Sequence, residues 1–280
     1  MLRNLIQRIS SGAIFAVLLA SVSSAQSVTK ATPQRLVLVE LFTSQGCDMC
    51  PTAEKILGEL GESNARVVPL AFHVDYFNNP WKDPFSDPIH SRRQAVYNSL
   101  YTKPKNPDYG LYYTPMVMVD GVQTVNGRDP EGIRAAVRTA QAKPPKVEIT
   151  SELEVGGDLR SGELRIAVTP RVSFGGDKEL LVCGVLRDDL VVTEVHSGEN
   201  ANKRLTARYP ARITKHEYFT PLERKTSQVK FQYQVEPTWK TAHLGLVVFV
   251  QDRKTAEIYQ ASYVPWRNTV AKNTKGDGFK

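Results

Sequence analysis

The sequence predicts an α/β domain followed by an all-β sandwich-like domain. Three observations carry this. Apolar β-rich runs alternate with helical patterns up to about residue 143, a proline-broken polar stretch ("QAKPPK") then interrupts the composition, and beyond it only β-rich runs recur. With 280 residues, 41% of them hydrophobic, the chain has material for two cores, since a domain usually takes roughly 100–200 residues.

The first 25 residues place Arg3 and Arg8 before the apolar run 13–20 and end on Ser23, Ser24 and Ala25. This is the pattern of a secretory signal peptide over 1–25, cleaved before Gln26. The apolar run is shorter than the roughly 20 residues that span a bilayer, and no later run reaches that length. The expectation is an exported protein, periplasmic or secreted, with no transmembrane segment after cleavage.

The first domain is expected over residues 33–143. It opens with "RLVLVELF", a short apolar run suited to a buried strand. Met49, Ala53, Ile56, Leu57 and Leu60 then mark one face of a helix that Gly61 ends. "ARVVPLAFHVDY" reads as a second buried strand. "SDPIHSRRQAVYNSLY" supplies a capping Ser86, a first-turn proline, and a helical face of Ile89, Arg93, Val96, Tyr97 and Leu100. "TPMVMVDGVQTVNG" is a hairpin turning at Asp120-Gly121. Asp129-Pro130 caps a third helix with Ile133, Val137 and Ala140 on one face. The second domain, residues 146–266, holds five β-rich runs, and the polar segment 267–280 reads as a flexible tail.

The formal charge of +7 falls to about +5 once Arg3 and Arg8 leave with the leader, and the basic residues form no blocks interleaved with aromatics. That pattern does not suggest nucleic-acid binding. Three cysteines remain, Cys47, Cys50 and Cys183. Three is too few for a disulfide framework, so the core must be mainly hydrophobic and the close pair needs another explanation. Cys183, within "LLVCGVL", reads as a buried, inert strand residue.

A strand running into C-x-x-C at a helix start puts Cys47 at the amino end of that helix. Free N–H groups and the helix dipole there favour a thiolate, lowering its pKa below about 8.5. Cys47 is then the nucleophile, and Cys50, one turn in and less exposed, resolves the mixed disulfide. Asp48 opposes this through its own negative charge. No bound cofactor is called for, and the partner is a protein or a small thiol or disulfide.

The order of elements, with Cys47, Cys50 and Thr114-Pro115, resembles the thioredoxin fold. The resemblance implies an α/β thioredoxin-like domain in which Pro115 follows a cis bond and sits against the cysteine pair, where the backbone of Thr114 meets a bound peptide. More narrowly, "VELFTSQGCDMCPTAE", "FHVDYFNNPWKDPFSDPIHSRRQAVY", "YTPMVMVDG" and "HSGENANKRL" resemble a bacterial secreted family of unknown function with a thioredoxin-like half and a β-rich half. Members commonly carry small residues between the cysteines, where this chain has Asp48 and Met49. The resemblance implies a chemical class and names no substrate.

Parallel strands end at one edge, so His73, Asp75 and Tyr76 are expected beside Cys47, together with Thr114. His73 is either a proton shuttle for Cys50 or a hydrogen-bonded residue fixing the next loop. Trp81 and Phe85 either shape a groove for a partner or anchor their loop. Arg93, on the apolar helical face, either pairs with Asp75 or Asp83 or plays a structural role, the commoner case. "SGEN", residues 197–200, is either a turn or part of a binding surface.

Two readings stand beside thiol–disulfide exchange. Soft thiolates select Cu(I), so Cys47 and Cys50, with His73 as a third ligand, describe a copper-binding or metallochaperone protein, although a structural zinc site wants four ligands. The other is a non-catalytic binding module in which the pair closes a local disulfide. So short a loop gains little stability from such a bond.

Overall fold

The computed structural model describes residues 34–101 and 110–269. The expected signal peptide over 1–25 and most of the polar tail lie outside the described residues.

Strand β1 (Val37–Thr43) is buried along its whole length and leads through a turn into helix α1 (Cys50–Ser63). The helix runs two residues past Gly61, where Asn64 N–H closes on Leu60 O. Strand β2 (Val67–His73) returns parallel to β1 with Thr43 opposite His73. Helix α2 (Pro88–Leu100) is capped by Asp87, whose carboxylate accepts from Ile89 N–H, and not by Ser86 as the sequence suggests. Its buried face is His90, Ser91, Gln94 and Tyr97, while Val96 and Leu100 are exposed. Here polar partners, not apolar spacing, choose the inner face: Gln94 donates to the carbonyls of Leu111 and Tyr113.

Strands β3 (Met116–Val119) and β4 (Gln123–Asn126) form the hairpin, turning at Asp120 and Gly121 with φ of 56° and 73°. A Cβ on Gly121 would lie 1.9 Å from Ala256 O, so both conformation and space require glycine there. Helix α3 (Pro130–Gln141) is capped by Asp129 and buries Ile133, Ala136, Val137 and Ala140. The sheet order is β2-β1-β3-β4.

The second half contains β5 (Val147–Val155), β6 (Ser161–Pro170), β7 (Leu180–Asp188), β8 (Leu190–Glu194), β9 (Arg204–Arg208), β10 (Ala211–Phe219), β11 (Ser227–Gln234), β12 (Leu244–Asp252) and β13 (Ile258–Pro265). They form sheets ordered β10-β7-β12-β13 and β11-β6-β5, with β8 and β9 a separate hairpin.

The expected fold class, a thioredoxin-like α/β domain followed by a separate all-β sandwich-like domain, does not hold. Among the described residues thirteen strands stand against three helices, and the sheets share cores. The central strands of the second half are buried on both faces. Leu246, Val248 and Val250 of β12 pack on Leu153, Leu164, Ile166 and Phe231 of the three-stranded sheet. Val247 and Phe249, pointing the other way, join Cys183 and Val185 in one cluster with Leu38, Phe42, Leu70, Phe72, Tyr97, Met116 and Met118 of the first half. The opposite face of the first sheet takes α1 and α3, through Ala53, Leu57, Leu60, Ile133 and Val137. Period-two alternation makes both faces of β12 apolar, and each face needs a cover. The first sheet supplies one of them.

Arg93 stands at this shared core. Its guanidinium pairs with Glu40 of β1, at 2.5 Å from Nε to Oε1, and donates to Gln251 of β12 and to the Tyr97 hydroxyl. It pairs with neither Asp75 nor Asp83, the two partners considered from the sequence; its largely buried side chain faces Glu40, a carboxylate that is itself fully buried.

Candidate functional site

The cysteine pair lies at the carboxyl end of β1. The turn after Thr43 is closed by Cys47 N–H donating to Ser44 O (3.2 Å) and Cys50 N–H to Cys47 O (3.3 Å). A Cβ on Gly46 would stand 2.9 Å from Phe77 O, so the turn packs tightly on the loop after β2. Cys50 is the first residue of α1 and Cys47 precedes the helix by three, whereas the sequence places Cys47 at the helix start and Cys50 a turn inside. Met49, assigned to the apolar face, is the helix cap and is exposed. Both cysteines are buried, Cys47 at 1% exposure and Cys50, expected from the sequence to be the less exposed, at 0%.

The two thiols sit in opposite electrostatic surroundings. Hydrogen bonding from the Cys50 thiol, then from the Thr114 hydroxyl and the N–H groups of Met49 and Cys50, outweighs burial and brings the Cys47 pKa down to about 7. The Thr114 hydroxyl is buried and has no other hydrogen-bond partner among the described residues. Burial first, and then the neighbouring Cys47, push the Cys50 thiol far up. The arrangement distinguishes a thiolate from a thiol held in reserve. Thr114 and Pro115 join through a cis peptide bond directly before β3.

Below the pair lies a buried acid–imidazole–acid row. Glu54, one turn after Cys50, accepts from the Thr43 hydroxyl at 3.0 Å. Its Oε1 stands 3.9 Å from His73 Nε2. On the other side of the ring, His73 Nδ1 meets Asp83 Oδ2 at 2.7 Å. Burial disfavours the charge on all three, and the net results differ. Glu54 is raised, because burial outweighs the help of His73 and Thr43. His73 is raised against its burial by the Asp83 and Glu54 carboxylates. Asp83 is lowered against its burial by His73 and by backbone N–H donors. One of those donors is Gln45 N–H, at 2.7 Å, which ties Asp83 to the cysteine turn.

The other residues assigned from sequence lie around this centre. Asp75 accepts from the Ser91 hydroxyl, and its N–H donates to the same oxygen at 3.1 Å. The Tyr76 hydroxyl donates to Gln94 Oε1 at 3.0 Å, and its pKa is raised by burial and, more weakly, by the two cysteines. Trp81 packs edge-on against His196, with ring centres 5.7 Å apart. Phe85 is buried against the His73 ring. Cys183 lies far along the chain in the shared core, and burial raises its thiol to about 12. His73 turns its nitrogens to Asp83 and Glu54, and among the described residues no group of three or more His, Cys, Asp or Glu side chains is placed to hold a metal ion.

Sequence reading did not assign Glu54, Asp83, Thr43, Glu199 or Asn200 to the site. Glu54 occupies an inward helical position four after Cys50, and that charged break in an apolar face is the signal that marks it. The other four carry no such signal. The most distant, Asn200, is fully buried and donates from Nδ2 to the carbonyls of Gln45 and Cys47, both at 2.9 Å.

Among the described residues no helix is long and apolar enough to cross a membrane. The chain is similar in structure to protein AGR_C_4864 from Agrobacterium tumefaciens, with a TM-score of 0.61 at 22% identity, over 86% of this chain and 99% of that one. HBP35 of Porphyromonas gingivalis is similar with a TM-score of 0.62 at 13% identity, over 88% of this chain and 79% of that one. Likeness at these identities is one of fold. No curated protein matches the chain. Residues 38–251 match the family described as "Protein of unknown function (DUF1223)", a span that includes both cysteines, the acid–imidazole–acid row and Asn200, and the chain belongs to that family.

Proposed function

We propose that this protein is an exported thiol–disulfide oxidoreductase acting through Cys47 and Cys50. The observation that carries the reading is the divergence of the two thiols, Cys47 lowered to about 7 and Cys50 raised. Export rests on the leader-like pattern of residues 1–25.

In the reducing direction, the Cys47 thiolate attacks one sulfur of a substrate disulfide. A Cys47–substrate bond forms, the substrate S–S bond breaks, and the other sulfur leaves as a thiolate. Cys50 then attacks the Cys47 sulfur, closing the 47–50 disulfide and releasing the second substrate thiolate, with two electrons passed to the substrate. For that step Cys50 must lose its proton. Thr43, which favours the Cys50 thiolate and bonds Glu54, connects it to an acceptor whose affinity for a proton is raised by burial. The oxidising direction is the same sequence reversed.

The test is exchange of the 47–50 pair with dithiothreitol and glutathione in redox buffers, followed by mass spectrometry, and trapping with Cys50→Ser. Reversible loss and gain of two hydrogens at the pair, and a mixed disulfide retained on Cys47, are the expected results. A pair that neither forms a disulfide nor exchanges ends the reading.

A further inference from the structure

The loop that joins β8 to β9 crosses from the second half of the chain onto the cysteine turn. Asn200 is its single point of deep burial between His196 and Lys203, and its two amide bonds to Gln45 O and Cys47 O span more than 150 residues of sequence. Its own carbonyl accepts from Lys203 Nζ at 2.9 Å, which fixes the orientation of the amide. Around it, Glu199 accepts from Asp48 N–H at 2.9 Å, Ser197 donates to Pro80 O at 3.1 Å, and His196 meets the edge of Trp81. Gly198 turns the loop at a φ of 81°.

We infer that this loop is a latch on the cysteine site and that Asn200 is its positioning residue, an inference that rests on the reading of Cys47 as the nucleophile.

Two physical consequences support it. By holding the Cys47 carbonyl, Asn200 fixes the peptide plane that leads into Met49 and Cys50, whose N–H groups favour the Cys47 thiolate. Closed, the loop therefore completes the nucleophile. Yet closed, it also lies on a sulfur-bearing turn whose Cys47 is 1% exposed, and a disulfide must reach that sulfur in line with its S–S bond. A segment held by a few hydrogen bonds and one buried side chain belongs to the low-stability end of a structure, so it opens locally without unfolding the sheets beneath. Lifting admits the substrate and closing restores the thiolate. A partner that binds the open loop, or that displaces Glu199 from Asp48, would set the rate.

The experiment is the pH profile of alkylation of the fully reduced full-length protein by iodoacetamide, read at Cys47 by peptide mass spectrometry. In this reaction the Cys47 thiolate forms the S–C bond and iodide leaves. Glu199→Ala removes a latch contact without touching the Cys47 carbonyl. It is expected to raise the high-pH plateau rate about tenfold, the equilibrium worth of one charge-assisted hydrogen bond, with the midpoint unmoved. Asn200→Ala is expected to raise the plateau and also to shift the midpoint upward, which a purely structural loss would not do selectively. A plateau equal to the wild type in Glu199→Ala overturns the latch, and a midpoint unmoved in a folded Asn200→Ala overturns the positioning role. Glu199 is exposed, so that variant decides the latch even where Asn200→Ala fails to fold. Alkylation needs no disulfide exchange, so failure of the latch and failure of the redox reading are seen in different assays.

Discussion

His73 Nδ1 and the Asp83 carboxylate meet at 2.7 Å in a fully buried contact that binds the end of β2 to the loop behind the cysteine turn. Because His73 is raised, its contribution is fully present below the ordinary imidazole value of 6.5 and is lost as pH rises through its folded value. Because Asp83 is lowered, its contribution is present above the ordinary value of 3.8 and is lost as pH falls through its own folded value. The pair therefore stabilises most between about 4 and 6.5, and the protein is expected to melt higher at pH 5.5 than at pH 9. Asp83→Asn should cost about 3–5 kcal/mol by removing the nearer of the ring's two carboxylates and should flatten the dependence above pH 6.5. Calorimetric melting temperature across pH checks both.

The thiolate of Cys47 should titrate near 7 in alkylation kinetics. Cys50→Ala removes the largest of the interactions that lower it and should move the midpoint upward toward the ordinary thiol value. Thr114→Val should do the same by a smaller amount, in keeping with its lesser place among the causes. A midpoint at 9 in the wild type would contradict the electrostatics of the turn.

Glu54→Gln keeps the side chain's shape and its bond to Thr43 while removing its ability to take a proton. Resolution of a mixed disulfide on Cys47 should slow about 100-fold near neutral pH, the usual worth of a positioned general base, and recover as pH rises and hydroxide replaces the carboxylate. Acid-quenched trapping of the mixed disulfide measures this. Equal rates in both proteins would remove Glu54 from the proton path.

The shared core predicts how the chain unfolds. Phe249 of β12 packs in the cluster that contains Phe42, Phe72 and Met116 of the first sheet, so Phe249→Ala should cost about 3–5 kcal/mol. It should lower one common calorimetric transition for both halves. Two separated transitions, only one of them shifted, would show that the halves fold independently.

Gly121→Ala should be strongly destabilising, because the residue is buried, the new Cβ meets Ala256 O at 1.9 Å and the backbone sits at a φ of 73°. A loss of about 2 kcal/mol or more is expected, read from urea unfolding.

The sequence by itself determined the local elements: a buried strand running into the cysteine turn, an Asp-Gly hairpin, and a third helix capped by Asp129. Each follows from forces between near neighbours, namely alternation of apolar residues, capping of free N–H groups, and tolerance of positive φ. Tertiary structure alone decided the rest. Periodicity shows that both faces of β12 are apolar but not that the first sheet covers one of them, and this is why two separate domains were expected. A buried acid reads like a surface acid in the sequence, so Glu40 as the partner of Arg93, and Glu54 and Asp83 as the flanks of His73, emerge only when folding buries these charges beside one another. Asn200 is the extreme case. Its bonds to the cysteine turn join residues more than 150 apart, and nothing in the local sequence around it specifies that pairing.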